Sequence, residues 1–148
     1  RLTDVAAAIG LEQLKKLPER TAKRQANGRT LTQLLSSVPA VIPPSATQDA
    51  EHVYHQYTIR LRLDQLRCDR DEFVRLLAAE GVGSATHYPR AISDQPIITE
   101  LVTKRDPMPV SEQLAREVLC LPVHHDLSST QLSQIAEGVA KVAEAVSR

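Results

Sequence analysis

Val53-Tyr54-His55-Gln56-Tyr57-Thr58-Ile59-Arg60-Leu61-Arg62-Leu63 alternates in character, with Tyr57, Ile59, Leu61 and Leu63 on one side and Thr58, Arg60 and Arg62 on the other. Successive strand side chains point to opposite faces, so the pattern predicts a half-buried strand of an antiparallel sheet. Downstream, Asp69-Arg70-Asp71-Glu72 has capping-box spacing, Phe73, Leu76 and Leu77 form an inner helical stripe, and Gly81 is a natural C-cap. Val82 to His87 reads as a second strand that runs into the loop His87-Tyr88-Pro89. Residues 90–109 form a long excursion, with a short helix around Gln95 to Val102 and a turn at Asp106-Pro107-Met108-Pro109. A helix follows over Ser111 to Val118, with Leu114 and Val118 inward, and then a short buried strand over Leu119 to Val123. Ser128 and Gln131 make another capping box for a last helix striped by Leu132, Ile135, Ala136, Val139, Val142, Ala143 and Val146.

Upstream of the decisive strand, Thr3 and Asp4 can cap a helix over Val5 to Leu17 whose two adjoining apolar stripes predict extensive burial of its first turns. Pro18 lacks an N–H and predicts a kink or restart. The next helical segment, Glu19 to Leu35, is mostly polar, with Ala22, Ala26, Leu31, Leu34 and Leu35 as its apolar edge. Ser36 to Gln48, with three prolines, predicts an irregular connector. Three strands separated by helices define an α+β class, helices packed on a small, mostly antiparallel sheet.

The chain has 148 residues, 18 basic and 18 acidic, three Tyr, one Phe and no Trp. Balanced charge and scarce aromatic rings exclude the basic and stacking surfaces expected of a nucleic-acid binder. No apolar run reaches membrane-spanning length. Cys68 and Cys120 are too few and too far apart for a metal ribbon or disulfide scaffold, so a reducing compartment is expected. His52, His55, His87, His124 and His125 show no metal-ligand spacing. None of Lys15, Lys16, Lys23, Lys104 and Lys141 lies in the apolar surroundings that activate a lysine for Schiff-base chemistry. That leaves His87-Tyr88-Pro89 as the one stretch where an imidazole, a phenol and a rigid turn converge, suited either to ligand contact or simply to ending a strand. Arg1 in place of an initiating Met implies that the chain begins inside a longer protein or after processing.

Several motifs fall in a recognisable order: Arg1-Leu2-Thr3-Asp4 leading into Ala6-Ala7-Ala8-Ile9-Gly10-Leu11, Tyr54 to Arg60, Gly81-Val82 with His87-Tyr88-Pro89, Gln95-Pro96, and Pro109-Val110-Ser111-Glu112 with Leu114 to Val123. Across essentially the whole chain this set resembles the DegT-type (DegT/DnrJ/StrS) sugar aminotransferases, pyridoxal-phosphate enzymes of the aspartate aminotransferase fold (fold-type I). The resemblance implies that the chain is their C-terminal part, with linking helices over 1–36 and a small α+β domain over 37–148. The large cofactor-binding domain, with its Schiff-base lysine and its aspartate partner of the pyridine nitrogen, would lie upstream. Catalytic and cofactor-binding residues would then be absent here, and the isolated chain inactive. By motif match Arg1, His87 and Tyr88 are the implied substrate-binding residues, reaching a neighbouring subunit's active site. Ser93 stands where relatives often carry a histidine. The full-length enzyme would be a cytoplasmic homodimer that uses pyridoxal 5'-phosphate to move an amino group from an amino-acid donor to a nucleotide-linked keto sugar. The alternatives are a same-fold sugar dehydratase, in which histidine replaces the lysine, and a non-catalytic binding or regulatory module.

Overall fold

In the computed structural model, which describes residues 2–102 and 106–148, β2 (Tyr57–Leu61) is the centre of a three-stranded antiparallel sheet of order β1-β2-β3. β1 (Val41–Ile42) pairs Val41 with Leu61, and β3 (Val118–Leu121) pairs Tyr57 with Leu121 through Arg60 with Val118. The central strand is shorter than its alternation at both ends. Tyr54 turns at φ 47°, its N–H donating to His52 Nδ1 at 2.8 Å, and Leu63 enters a 3-10 turn, Leu63–Gln65.

Two expectations about strands change. The stretch 36–48 holds β1, because Pro39 and Pro43 bound a short edge strand without interrupting it. Among the described residues Val82 to His87 contributes only one bridge, in which Ala85 exchanges hydrogen bonds with Cys120 at 3.1 and 2.7 Å.

The apolar face of β2 carries the core. Tyr57, Ile59 and Leu61 are fully buried beneath Leu31 and Leu35 of α1 (Asp4–Leu35), Phe73 and Leu77 of α2 (Arg70–Ala79), and Leu132, Ile135, Val139 and Val142 of α5 (Ser129–Ala145). Burying such side chains stabilises by about 1.5–3 kcal/mol each, as an upper bound. Asp69 accepts the Glu72 N–H at 2.9 Å, but the Glu72 carboxylate holds Arg75, so only half of that capping box forms. At α5 both halves form between Ser128 and Gln131. Gly81, at φ 79°, ends α2 in the left-handed region where glycine carries no side-chain penalty.

The linking segment differs from the expected pair of helices. α1 is a single helix of 32 residues with Pro18 inside it. Proline's φ is already helical, and flanks rich in Ala, Leu, Lys and Arg favour helix strongly enough to continue past the lost hydrogen bond. Its inward face also shifts. Gln25, Gly28, Leu31 and Leu35 are buried, while Ala22, Ala26 and Leu34 face outward. Gln25 is accommodated because its amide donates to Glu51 Oε1 at 2.9 Å. Gly28 is required because the Tyr54 ring lies on it, and a Cβ there would meet ring carbons at 2.7–2.8 Å. The expected burial of the first turns is not supplied by this chain, since Leu2, Val5, Ile9, Leu11, Leu14 and Leu17 are all more than half exposed.

Two outcomes follow for stability. Gly28→Ala should lower the free energy of unfolding by up to roughly 2 kcal/mol in a denaturant titration, because an overpacking cost of about 1–3 kcal/mol is set against a gain in helix propensity of about 1 kcal/mol. Tyr57 offers a pH signature. Its hydroxyl donates to Thr32 Oγ1 at 2.8 Å while Thr32 donates to the Gly28 carbonyl, and burial pushes its pKa up to about 12, the Thr32 bond opposing that rise. The folded pKa lies above the unfolded value, so this contribution is complete below about pH 10 and is lost as pH rises through about 12. Tyr57→Phe should flatten the loss of stability over that alkaline window.

Candidate functional site

The second face of the sheet, where Thr58 and Arg60 point, opens into a cleft of about 720 Å³. Its floor is Thr58 and Val118, one wall is the loop His87 to Ser93, and the other is α4 (Pro109–Glu117) with the preceding Met108. This volume falls within the range of small-molecule sites, about 300–1,000 Å³. His87 and Tyr88 are thus brought together on one wall, rings edge to face with centroids 5.8 Å apart, across a cis peptide bond. Both are exposed, Tyr88 by 74%, and neither makes a hydrogen bond to a described residue. The third expected contact, Arg1, lies outside the described residues.

Sequence reasoning missed two contributors. Arg90 brings a guanidinium to the cleft directly after His87-Tyr88-Pro89, and Ser111 brings a hydroxyl from the first turn of α4. The signal for Arg90 was available in its place beside the loop; that for Ser111 was not, since its helix reads equally well as surface. Leu114 also departs from expectation. It lines the cleft and remains partly exposed instead of entering the core.

Two arginines fix α4 as a wall. Arg60 pairs with Glu117 across the wet face of β2. Arg70, only 5% exposed, donates from Nη1 to the carbonyls of Ala115 at 2.8 Å and Val118 at 3.2 Å. Carbonyls at a helix C-terminus lack partners within the helix and carry partial negative charge, so a buried cation satisfies both needs there. Under the floor, Thr58 Oγ1 lies 3.2 Å from the Sγ of buried Cys120. Cys68 is half-buried and its thiol is pushed up, chiefly by burial and then by Asp69 and Glu72.

Among the described residues no lysine lines the cleft. Lys15, Lys23 and Lys141 are exposed and paired with Glu12, Glu19 and Glu80. Among the described residues no group of three or more His, Cys, Asp or Glu could hold a metal ion, and no helix is long and apolar enough to cross a membrane. The arrangement can bind and orient a ligand: a cation, an imidazole, a phenol and hydroxyls face an apolar wall.

Fold and cleft together define a small α+β unit with an open cleft on one face of its sheet. Residues 1–140 match the DegT/DnrJ/EryC1/StrS aminotransferase family, and the chain belongs to it. A pleiotropic regulatory protein of Geobacillus stearothermophilus is 31% identical over 143 residues, 95% of this chain and 37% of that protein. Among solved structures, S. venezuelae DesV in complex with a ketimine intermediate superposes with a TM-score of 0.86 at 28% identity, covering 97% of this chain and 37% of DesV. The aminotransferase TlmJ from Streptoalloteichus hindustanus gives 0.80 at 28% identity, covering 96% and 36%. The chain therefore spans little more than a third of the length of these relatives.

Replacing Arg70 by Met should cost roughly 2–3 kcal/mol in urea unfolding, since two part-buried carbonyls at the end of α4 lose a charged donor. Arg75→Met, on an exposed i,i+3 pair, should cost under about 1 kcal/mol in the same assay.

Proposed function

We propose that this chain is the C-terminal part of a pyridoxal-phosphate aminotransferase that acts on nucleotide-linked keto sugars, and that it supplies substrate-binding groups and dimer contacts in a cytoplasmic enzyme. The observation that carries the reading is the family match over residues 1–140, which includes every residue of the cleft. The cofactor, held in the full-length enzyme, supplies the electron sink for carbanion chemistry. What this chain does is recognition. Arg90 offers two parallel donors to a diphosphate, His87 adds a donor beside it, and the exposed face of Tyr88 suits a planar base. The apolar wall formed by Ile92, Met108 and Leu114 excludes water from one side of the ligand. Arg1, by its match to the family motif, is proposed to contact the same substrate. The exposed apolar turns of α1, Leu2 to Leu17, are where a subunit contact would bury the most surface.

Two measurements test this division of labour. The chain mixed with pyridoxal phosphate should develop no stable internal-aldimine absorbance and no transaminase turnover; a stable band with turnover would overturn it. In calorimetry, His87→Ala and Tyr88→Ala should each weaken binding of a UDP-hexose by roughly 5–30-fold, the equivalent of about 1–2 kcal/mol. Unchanged affinity in both variants would remove the cleft from the substrate site.

A further inference from the structure

α4 stands where it does without the help of a core. None of its nine residues is buried, and Val110 and Leu114 remain 68% and 37% exposed. Among the described residues, its hydrogen bonds and ion pairs to the rest of the fold all lie at one end. Arg70 Nη1 holds the carbonyls of Ala115 and Val118, and Arg60 holds Glu117. The other side-chain bonds, Met108 N–H to Glu112 and Gln113 to Glu117, stay within the helix and its cap.

The cation at that end is out of place in its own helix. Arg70 sits in the first turn of α2, and a helix N-terminus disfavours positive charge. Its neighbour Asp71 pairs with Nε but is 77% exposed, so solvent screens that bond. What favours a buried guanidinium here is the set of free carbonyls at the end of α4. Phe73 and Leu77, fully buried further along α2, give it a rigid base. We propose that Arg70 is a positioning residue for ligand recognition: it pins the last turn of α4 and thereby sets the gap between Ser111 and Leu114 on one wall and His87 to Ser93 on the other. The proposal rests on the nucleotide-sugar reading of this cleft and adds the residue that fixes its width.

Leverage gives the clamp its effect. Ser111 lies roughly 10 Å along the helix from Val118, so a tilt of about 10° at the clamped end moves it by roughly 2 Å. A shift of that size breaks a hydrogen bond, which tolerates only a few tenths of an ångström. Both bonds to α4 leave one nitrogen of the guanidinium, whose planar fork fixes their direction. Lysine keeps the charge and most of the stem, but its amine ends one bond short and rotates freely. Arg70→Lys should therefore loosen α4 and leave the core intact.

The test compares the unaltered chain with Arg70→Lys and, as a control for lost stability alone, with Gly28→Ala, whose site lies against Tyr54 and outside the cleft. Amide exchange is read by magnetic resonance on isotope-labelled chains. In Arg70→Lys, exchange of Gln113 to Glu117 should accelerate by roughly tenfold or more relative to Ile59 and Val139 of the core. In calorimetry the same variant should weaken binding of a UDP-hexose by roughly threefold or more, and Gly28→Ala by less. If exchange in α4 gains less than that over the core, if the UDP-hexose weakens less than that, or if Gly28→Ala weakens it as much, the positioning role is overturned and the nucleotide-sugar reading stands. If the unaltered chain binds no UDP-hexose, both are overturned.

Discussion

The ladder between Tyr57–Arg60 and Leu121–Val118 constrains everything else in the domain. Strand geometry allots its side chains to two faces, and here the two faces have different occupations. Tyr57, Ile59 and Leu61 enter a dry layer roofed by α1, α2 and α5, while Thr58, Arg60 and Cys120 meet the cleft side. A shift of one residue in that pairing would exchange the faces, placing an arginine in the core and a buried tyrosine in the site. Register is therefore specified from both sides at once: apolar burial holds one face, and the Arg60–Glu117 pair holds the other.

Much of this was legible in the sequence because it is periodic. The alternation from Tyr57 to Leu61, the stripe of the last helix and the Ser128–Gln131 cap all express geometry that a short window contains. What was not legible depends on partners distant in sequence. β1 exists because Val41 and Ile42 meet Leu61 and Arg60, not because two residues between prolines favour a strand. Residues 82–87 have a strand-like composition but, among the described residues, find only Cys120 to pair with. The inward face of α1 was misjudged because Gly28 and Gln25 are chosen by a ring and a carboxylate in the loop at 51–54. Pro18 shows the converse: a strong local rule was outweighed by the helical flanks.

The site was legible in a different way. Locally, His87-Tyr88-Pro89 is an ordinary end to an extended segment; its place in an ordered series of motifs singled it out. The structure adds what order alone does not contain: the wall opposite, which is α4. That wall owes its position to Arg70, a residue buried on the α2 side that never reaches the cleft. Side chains on an exposed loop are held to a more definite geometry when the surface they face is clamped by satisfied hydrogen bonds. Here the clamp is a guanidinium on the free carbonyls at the end of α4.

α1 carries one more consequence. From Leu31 onward it is part of the core, and before Gln25 it has no buried side chain, so a single element spans both ends of the local stability scale. Its free energy of opening must fall along its length, from near the global value at Leu35 to the fraying limit at Thr3, with Pro18 removing a hydrogen bond between the two regimes. Such a helix behaves as two foldons joined by continuous backbone. Slow hydrogen exchange would be confined to its last turns, and the outer half would acquire protection only where another surface covers its apolar stripe.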